Sequence, residues 1–132
     1  MNSLKKINPS SSSKASSGAA PNNSFARENY LYLTTRGRKS GLSREIEIWF
    51  THRDSKFYVI AEHARSNWVQ NVQADSEVQV RIGGRSFAAR ARIISDESEP
   101  EQNYAVQQLS RKKYGWGEGL VVELIPENRI FI

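Results

Sequence analysis

The sequence predicts a mainly β fold with two helices, an α+β arrangement built as a small antiparallel barrel. Three observations predict it. Apolar and polar residues alternate in several short segments, which is the period of a strand with one buried face. Short turn-forming stretches join most of these segments, as they do in hairpins. About seven such strands and two helical segments, mostly connected by hairpins, indicate a barrel with the helices packed outside.

The strand pattern is clear in the second predicted segment, where Ile46 and Ile48 lie on one face and Glu47 lies on the other. A hairpin loop over residues 51–55 is expected to follow, with His52 as a solvated turn residue at its tip. The predicted strands cover residues 30–35, 45–50, 56–61, 77–82, 87–93, 120–125 and 129–132.

The clearest hairpin turns at Gly83 and Gly84, between two segments of regular alternation. Its returning strand places two small residues, Ala89 and Ala91, on the inward face. Small side chains there predict a tight barrel interior, in which large residues from neighbouring strands need the space.

Two segments carry helical signals. The first covers residues 66–74, where Ser66 can cap the first turn and apolar residues recur on one face. The second is predicted over residues 99–114. It opens with Ser98-Glu99-Pro100-Glu101, which we interpret as a capping box with proline in the first turn, and it ends at Gly115.

Residues 1–24 are predicted to be a disordered tail, and residues 25–132 a single domain. Eight of the first 24 residues are serine, and few are large and apolar. The tail has three lysines and no acid, so it carries +3 of the net charge of +5, and the domain keeps 16 basic and 14 acidic side chains. A nearly balanced domain argues against a general binder of nucleic-acid backbones.

Several classes of chemistry lack the residues that they need. There is no cysteine, and two histidines without a carboxylate cluster predict no metal site. No apolar run is long enough for a membrane span, so we expect no stable membrane insertion. The lack of cysteine fits a reducing interior, and we predict a cytoplasmic location. Lys39-Ser40 follows Arg38 instead of glycine and precedes a strand, which excludes a Walker phosphate loop.

The loop between the first two predicted strands has the composition of an anion-binding site. Residues 34–44 contain four cations, two glycines, four hydroxyls and no acid. Glycines allow backbone N–H groups to converge, hydroxyls add donors, and the cations supply charge suited to phosphate or carboxylate. A solvated turn can have a similar composition and stays open as the alternative.

Two further residues are candidates for ligand contact. Trp116 lies between two glycines, so a mobile loop could place it as a lid over a planar ligand; a tryptophan that closes the barrel end is the alternative. His63 follows a predicted strand, from which it could face a pocket, although a surface histidine fits equally well.

The segment Tyr32-Leu33-Thr34-Thr35-Arg36-Gly37-Arg38-Lys39-Ser40-Gly41 resembles the Thr-Thr-x-Gly-Arg-Lys-Ser-Gly signature of the deazaflavin-dependent nitroreductase family. Asn67-Trp68-Val69-Gln70-Asn71-Val72-Gln73-Ala74-Asp75-Ser76-Glu77-Val78 is similar to its Trp-x-x-Asn-Leu-x-Ala-Asn-Pro-x-Val segment, and Val121-Val122-Glu123-Leu124 also fits. The resemblance implies a split β-barrel of the FMN-binding, flavin-reductase-like type. It also implies reduced coenzyme F420 as the hydride donor.

The resemblance further implies where the cofactor binds. F420 has a phosphate and a polyglutamate tail, and the family's phosphate loop corresponds to Arg38, Lys39, Ser40 and Gly41, with Arg44 as a further clamp. Ala61, Glu62 and His63 correspond to the region along the deazaflavin ring, and Trp68 and Asn71 to positions near the cofactor. The candidate substrate-pocket residues are Trp49, Tyr114 and Trp116. No catalytic side chain is assigned, because the cofactor carries the chemistry.

The expected function is an oxidoreductase that uses reduced F420 to transfer hydride to a quinone, a nitro compound or an activated alkene. Its partner is a small-molecule electron acceptor, and a homodimer is a further option. FMN is the alternative cofactor, because related barrels bind it. Two other functions stay open. One is an FMN- or F420-binding carrier module without turnover, and the other is a nucleic-acid-binding barrel that uses Arg81, Arg85, Arg90 and Arg92.

Overall fold

The computed structural model describes residue 25 and residues 27–127. The described residues form seven strands and two helices: β1 (Tyr30–Arg36), β2 (Ser43–Trp49), β3 (Thr51–Arg53), β4 (Lys56–Ala61), α1 (Asn67–Ala74), β5 (Glu77–Ile82), β6 (Arg85–Ile94), α2 (Pro100–Tyr114) and β7 (Leu120–Pro126). The predicted mainly β fold with two helices is confirmed.

These seven strands form one antiparallel sheet in the order β2-β1-β5-β6-β7-β4-β3. Its two edge strands, β2 and β3, are consecutive in the sequence and are separated only by Phe50. A chain cannot join two edges through one residue unless those edges lie together, so the sheet curls into a barrel that is split between β2 and β4.

The barrel interior is filled as the alternation predicts. β5 alternates strictly, with Val78, Val80 and Ile82 buried and the residues between them exposed. On the paired strand β6, Ala89 and Ala91 are buried in the same apolar cluster as Phe57. The predicted hairpin and its small inward-facing residues are confirmed. The small methyl groups leave room for the aromatic rings of neighbouring strands.

The prediction for residues 51–55 is wrong in part. Thr51–Arg53 forms β3, and only Asp54 and Ser55 turn the chain, both with positive φ. His52 is not a solvated turn residue: its ring stacks on Phe57 with the centroids 4.5 Å apart. Burial, followed by the nearby charge of Lys113, lowers the pKa of His52. The strand forms because it can pair with β4, a tertiary contact that the loop composition does not reveal.

The two helices have nearly the predicted bounds but different caps. Ser66 is the N-cap of α1, yet its hydroxyl donates to the His63 carbonyl at 2.7 Å and makes no capping hydrogen bond. Glu99 is the N-cap of α2, so Ser98-Glu99-Pro100-Glu101 is not a capping box. The Glu99 carboxylate instead pairs with Arg92 at 2.7 Å. The predicted tail over residues 1–24 and the predicted strand over residues 129–132 lie outside the described residues.

Candidate active site

Two neighbouring cavities share one wall, the side chain of Trp68. The first, which we call the anion groove, has a volume of about 530 Å³ and is lined by Gly37, Arg38, Lys39, Ser40, Arg44, Ile46, Asn67, Trp68 and Asn71. The second, which we call the aromatic cavity, has a volume of about 600 Å³ and is lined by Tyr30, Glu47, Ile48, Trp49, Ile60, Ala61, Glu62, His63, Ser66, Trp68 and Trp116. A ligand with an anionic end and a flat end could occupy both.

The loop between β1 and β2 folds back on itself at the edge of the anion groove. The Gly37 N–H donates to the Leu42 carbonyl at 2.8 Å, and the Gly41 N–H donates to the Gly37 carbonyl at 2.8 Å. Gly41 has a φ of +76°, a conformation that costs glycine little and other residues more. Ser40 Oγ accepts a hydrogen bond from the Leu42 N–H at 3.1 Å, which leaves its own proton available to a ligand.

Asn71, on α1, holds this loop against the helix. Its Oδ1 accepts from the Arg38 backbone N–H at 3.1 Å and from Arg38 Nη1 at 2.9 Å. Its Nδ2 donates to the hydroxyl of Thr35 at 3.1 Å. Asn71 and Thr35 are both buried. Asn71 is predicted to lie near the cofactor. Its hydrogen bonds show in addition that it positions Arg38.

Positive charge accumulates in the anion groove without a matching acid. Its lining contains Arg38, Lys39 and Arg44 and, among the described residues, no carboxylate. Arg38 donates only to neutral amide oxygens, those of Asn71 and Asn67, so its charge is not neutralised there. By contrast, Arg36 lies outside the lining and pairs with Asp75 at 3.5 Å. Three cations with no carboxylate beside them in the described lining favour binding of an anion such as phosphate or carboxylate.

The aromatic cavity lies in the split of the barrel, between β2 and the end of β4. Residues 59–61 of β4 pair with β7 on one side and have no β3 partner on the other. Within the described chain, β2 pairs only with β1. Strand edges of this kind leave backbone N–H and C=O groups free for a ligand. Ala61, Glu62 and His63 continue from β4 along the lining, as the resemblance implies for the ring region. His63 is held by its carbonyl, which accepts from the Ser66 N–H at 3.0 Å.

The three predicted substrate-pocket aromatics are packed together but do not all line the cavity. Trp49 stacks on Tyr114 with the centroids 4.5 Å apart and the planes 2° apart, and its centroid is 6.3 Å from that of Trp116. Trp49 and Trp116 line the aromatic cavity, whereas Tyr114 is not in its described lining. The Tyr114 hydroxyl accepts from the Phe50 N–H at 3.0 Å and lies 2.8 Å from the Asn29 carbonyl, so Tyr114 supports the bend between β2 and β3.

Trp116 is held in place by contacts on two sides. Its carbonyl accepts a hydrogen bond from the Ser110 hydroxyl, and its ring packs against the smaller apolar cluster beside α2. The next residue, Gly117, is buried against the Gln107 carbonyl, where no side chain would fit. These contacts favour a fixed wall at the barrel end over a mobile lid.

A buried carboxylate on β7, that of Glu123, is not among the predicted site residues. Glu123 is 1% exposed, and its oxygens accept from Tyr58 at 2.9 Å, Gln102 at 2.8 Å and Arg92 at 3.0 Å. Burial by itself would raise the pKa of Glu123, but the hydrogen bonds from Tyr58 and Arg92 lower it overall. Burial and the hydrogen bond with Glu123 raise the pKa of Tyr58 to about 12. In the sequence, the signal for this residue is a single acid within an otherwise apolar strand. The Glu123 carboxylate connects secondary-structure elements and lines neither cavity.

Comparison with protein-family models gives a match over residues 10–116 to the F420H2-dependent quinone reductase family. The chain belongs to that family. It is therefore an F420-dependent reductase that acts on a small-molecule acceptor. The match begins inside the predicted tail. No curated protein matches the sequence.

Solved structures support the split-barrel architecture of this F420H2-dependent reductase. An F420H2-dependent reductase superposes with a TM-score of 0.59 at 20% identity, covering 74% of this chain and 93% of the other. A heme storage protein from Vibrio cholerae gives 0.67 at 15% identity, covering 83% and 89%. A FAD-binding protein from Mesorhizobium loti gives 0.65 at 14% identity, covering 84% and 91%. At these identities the likeness concerns the fold alone.

The chemistry of the two cavities fits F420. The acid-free anion groove suits the phosphate and the polyglutamate tail of F420, and the free strand edges of the aromatic cavity suit the polar rim of a planar ring. When bound, the reduced cofactor supplies the hydride. Lys39 and Arg44 would hold its anionic part, and the walls formed by Trp68 and Ala61 would border its ring.

Neither a cluster of metal-binding side chains nor a membrane-spanning helix is found in the described part of the chain. No group of three or more histidine, cysteine or acidic residues within residues 27–127 could hold a metal ion. No helix in that range combines the length and the apolar character needed to cross a membrane.

Proposed function

We propose that this reductase transfers a hydride from F420H2 to a small planar acceptor that is a quinone, a nitro compound or an activated alkene. With a quinone, the acceptor gains one hydride and one proton and becomes the hydroquinone, and the donor becomes oxidised F420. The observation that supports this proposal is the pair of cavities that meet at Trp68, one cationic and one lined by aromatic rings. With its anionic part in the groove, the cofactor would extend its ring past Trp68 into the aromatic cavity, where a flat acceptor could meet it.

The chain contributes position, charge and exclusion of water. Lys39, Arg44 and the Ser40 hydroxyl would orient the anionic part of the cofactor. Trp49 and Trp116 would offer flat apolar surfaces to the acceptor. The proton that completes the reduction would come from water or from a side chain at the rim of the aromatic cavity.

The test is a fluorescence titration of the purified protein with oxidised F420 and, separately, with FMN. It compares wild type with the double variant Lys39→Ala/Arg44→Ala. The control, Arg111→Ala/Lys112→Ala, removes the same two residue types from the exposed end of α2. We expect the groove variant to raise the Kd for F420 about 10- to 100-fold, because each cation can make charge-assisted hydrogen bonds. The control should stay within about twofold.

Three results would contradict the proposal. Unchanged F420 affinity in the groove variant would show that the anion groove is a solvated turn. Tighter binding of FMN would keep the fold and change the cofactor. Tight F420 binding with no F420H2 oxidation by quinones, nitroaromatics or activated alkenes would favour the carrier module.

A nucleic-acid-binding barrel is less well supported. Of its four candidate arginines, Arg81 pairs with Glu45 at 3.2 Å, Arg90 with Glu127 at 3.6 Å, and Arg92 with Glu99 at 2.7 Å. Arg85 lies over the ring of Phe25. Paired cations attract phosphate less, so steeply salt-dependent binding of an oligonucleotide is the observation that would revive this alternative.

A homodimer and a cytoplasmic location stay predictions. One similar structure, at a TM-score of 0.60 and 20% identity over 74% of this chain and 79% of the other, is described as a domain-swapped dimer. Sedimentation equilibrium of the purified chain at several concentrations would test the assembly.

A further inference from the structure

The two cavities differ in the sign of the charge on their walls. The anion groove has three cations and no acid in its described lining, whereas the aromatic cavity has two glutamates, Glu47 and Glu62, and no lysine or arginine. Within the described residues, neither glutamate forms an ion pair within 4.0 Å. Neighbouring Glu45 on the same strand does form one, with Arg81.

Both carboxylates lie where an acceptor would approach. Glu47 is exposed on β2, where it lies opposite Tyr32 of β1 and, as a hydrogen-bond partner, raises the pKa of Tyr32. Glu62 is exposed directly after β4, on the other side of the split. An acceptor entering between these strands would pass a negative charge on each side. The other polar side chains of the described lining are Tyr30, His63 and Ser66, so no lysine or arginine there would compensate an anionic acceptor.

We infer that the aromatic cavity selects acceptors without negative charge, with Glu47 and Glu62 as the residues that exclude anions. The two cavities would thus separate the anionic part of the cofactor from an uncharged or cationic planar acceptor. This inference rests on the proposed function for the identity of the acceptor, but charge preference in binding can be measured without turnover.

The probes are three anthraquinones with one ring system and different charges: anthraquinone-2-sulfonate, 2-(hydroxymethyl)anthraquinone and 2-(aminomethyl)anthraquinone. Binding is followed by quenching of tryptophan fluorescence, since Trp49, Trp68 and Trp116 all line the cavity. Wild type and variants are all titrated at pH 8, in one buffer. A second series in the Lys39→Ala/Arg44→Ala background removes the anion groove as a competing site for the sulfonate.

In wild type, the sulfonate should bind most weakly and the ammonium compound most tightly. A unit charge about 4–6 Å from a ligand charge changes affinity about three- to fivefold in water. Glu47→Gln/Glu62→Gln should therefore lower the Kd ratio of sulfonate to neutral compound about tenfold. Glu97→Gln/Glu101→Gln removes two exposed carboxylates elsewhere and should leave that ratio unchanged.

The outcomes separate the two proposals. If the three anthraquinones bind equally in wild type, or if the ratio does not change in Glu47→Gln/Glu62→Gln, the charge inference is overturned, whatever the turnover. If the ratio changes as expected and no probe oxidises F420H2, the charge inference holds and the proposed function fails. If kcat/KM for F420H2 oxidation follows the same charge order as the Kd values, both hold.

Discussion

At the scale of single residues, the anion groove depends on one amide side chain. Asn71 uses both ends of its amide, accepting twice from Arg38 and donating once to Thr35. No sequence pattern distinguishes such a positioning residue from one that touches the ligand, because both lie beside the same loop. The resemblance led to the residue, and the geometry suggests what it does.

Asn71→Ala should weaken both folding and cofactor binding. The buried hydroxyl of Thr35 and the backbone N–H of Arg38 would each lose a partner, at a cost of about 1–3 kcal/mol in the free energy of unfolding. The released loop should also raise the Kd for F420. Urea denaturation and the F420 titration measure the two effects. Gln73→Ala, on the exposed side of α1, is the control. Normal affinity in a destabilised Asn71→Ala protein would argue against the positioning role.

At the scale of elements, the aromatic cavity depends on how closely the chain before β7 approaches β4. Gly119 has a φ of +123°, and a Cβ added there would lie 2.3 Å from the carbonyl oxygen of Ala61. The sequence shows glycines on both sides of Trp116, and their spacing predicts a flexible loop. The structure shows a different reason at each position. Gly115 ends α2 in the left-handed conformation, whereas Gly117 and Gly119 pack so closely against backbone that only glycine fits.

Gly119→Ala should therefore perturb the cavity wall as well as the fold. We expect a loss of more than about 2 kcal/mol in the free energy of unfolding, because positive φ and a backbone clash act together. Gly84→Ala is a matched control, since its φ is +87° but no atom lies within 4 Å of the added Cβ. Thermal unfolding and neutral-anthraquinone binding should show the larger change in Gly119→Ala. Equal effects would mean that φ alone matters.

At the scale of the whole molecule, Glu123 connects distant parts of the chain. Its carboxylate joins β7 to β4 through Tyr58, to β6 through Arg92 and to α2 through Gln102. Arg92 in turn pairs with Glu99 at the start of α2. The network ties the outer helix to the sheet, so we expect it to contribute to global stability more than to cofactor binding.

The network predicts acid sensitivity. The folded state lowers the pKa of Glu123 below its ordinary value of 4.5, so its contribution is present above that pH and is lost as the pH falls through the lower folded pKa. Glu123→Gln should cost about 2 kcal/mol at pH 7. The difference from wild type should shrink below about pH 4. Urea denaturation from pH 3 to pH 7 measures this. Parallel curves for the two proteins across that range would contradict the assignment.

Periodicity and turn residues were sufficient to predict the sheet-rich fold, the Gly83-Gly84 hairpin and both helices, since local alternation reflects which face of an element is buried. Composition also predicts an anion site in the loop after β1, because charge and glycine content are local properties, and this site stays a prediction. Only the tertiary structure decided that Thr51–Arg53 pairs with β4, that Glu99 binds Arg92 in place of capping, and that Tyr114 supports Phe50. These contacts join residues far apart in sequence or replace one local hydrogen bond by another. Their energies depend on how deeply the residues are buried, which a local sequence pattern does not show.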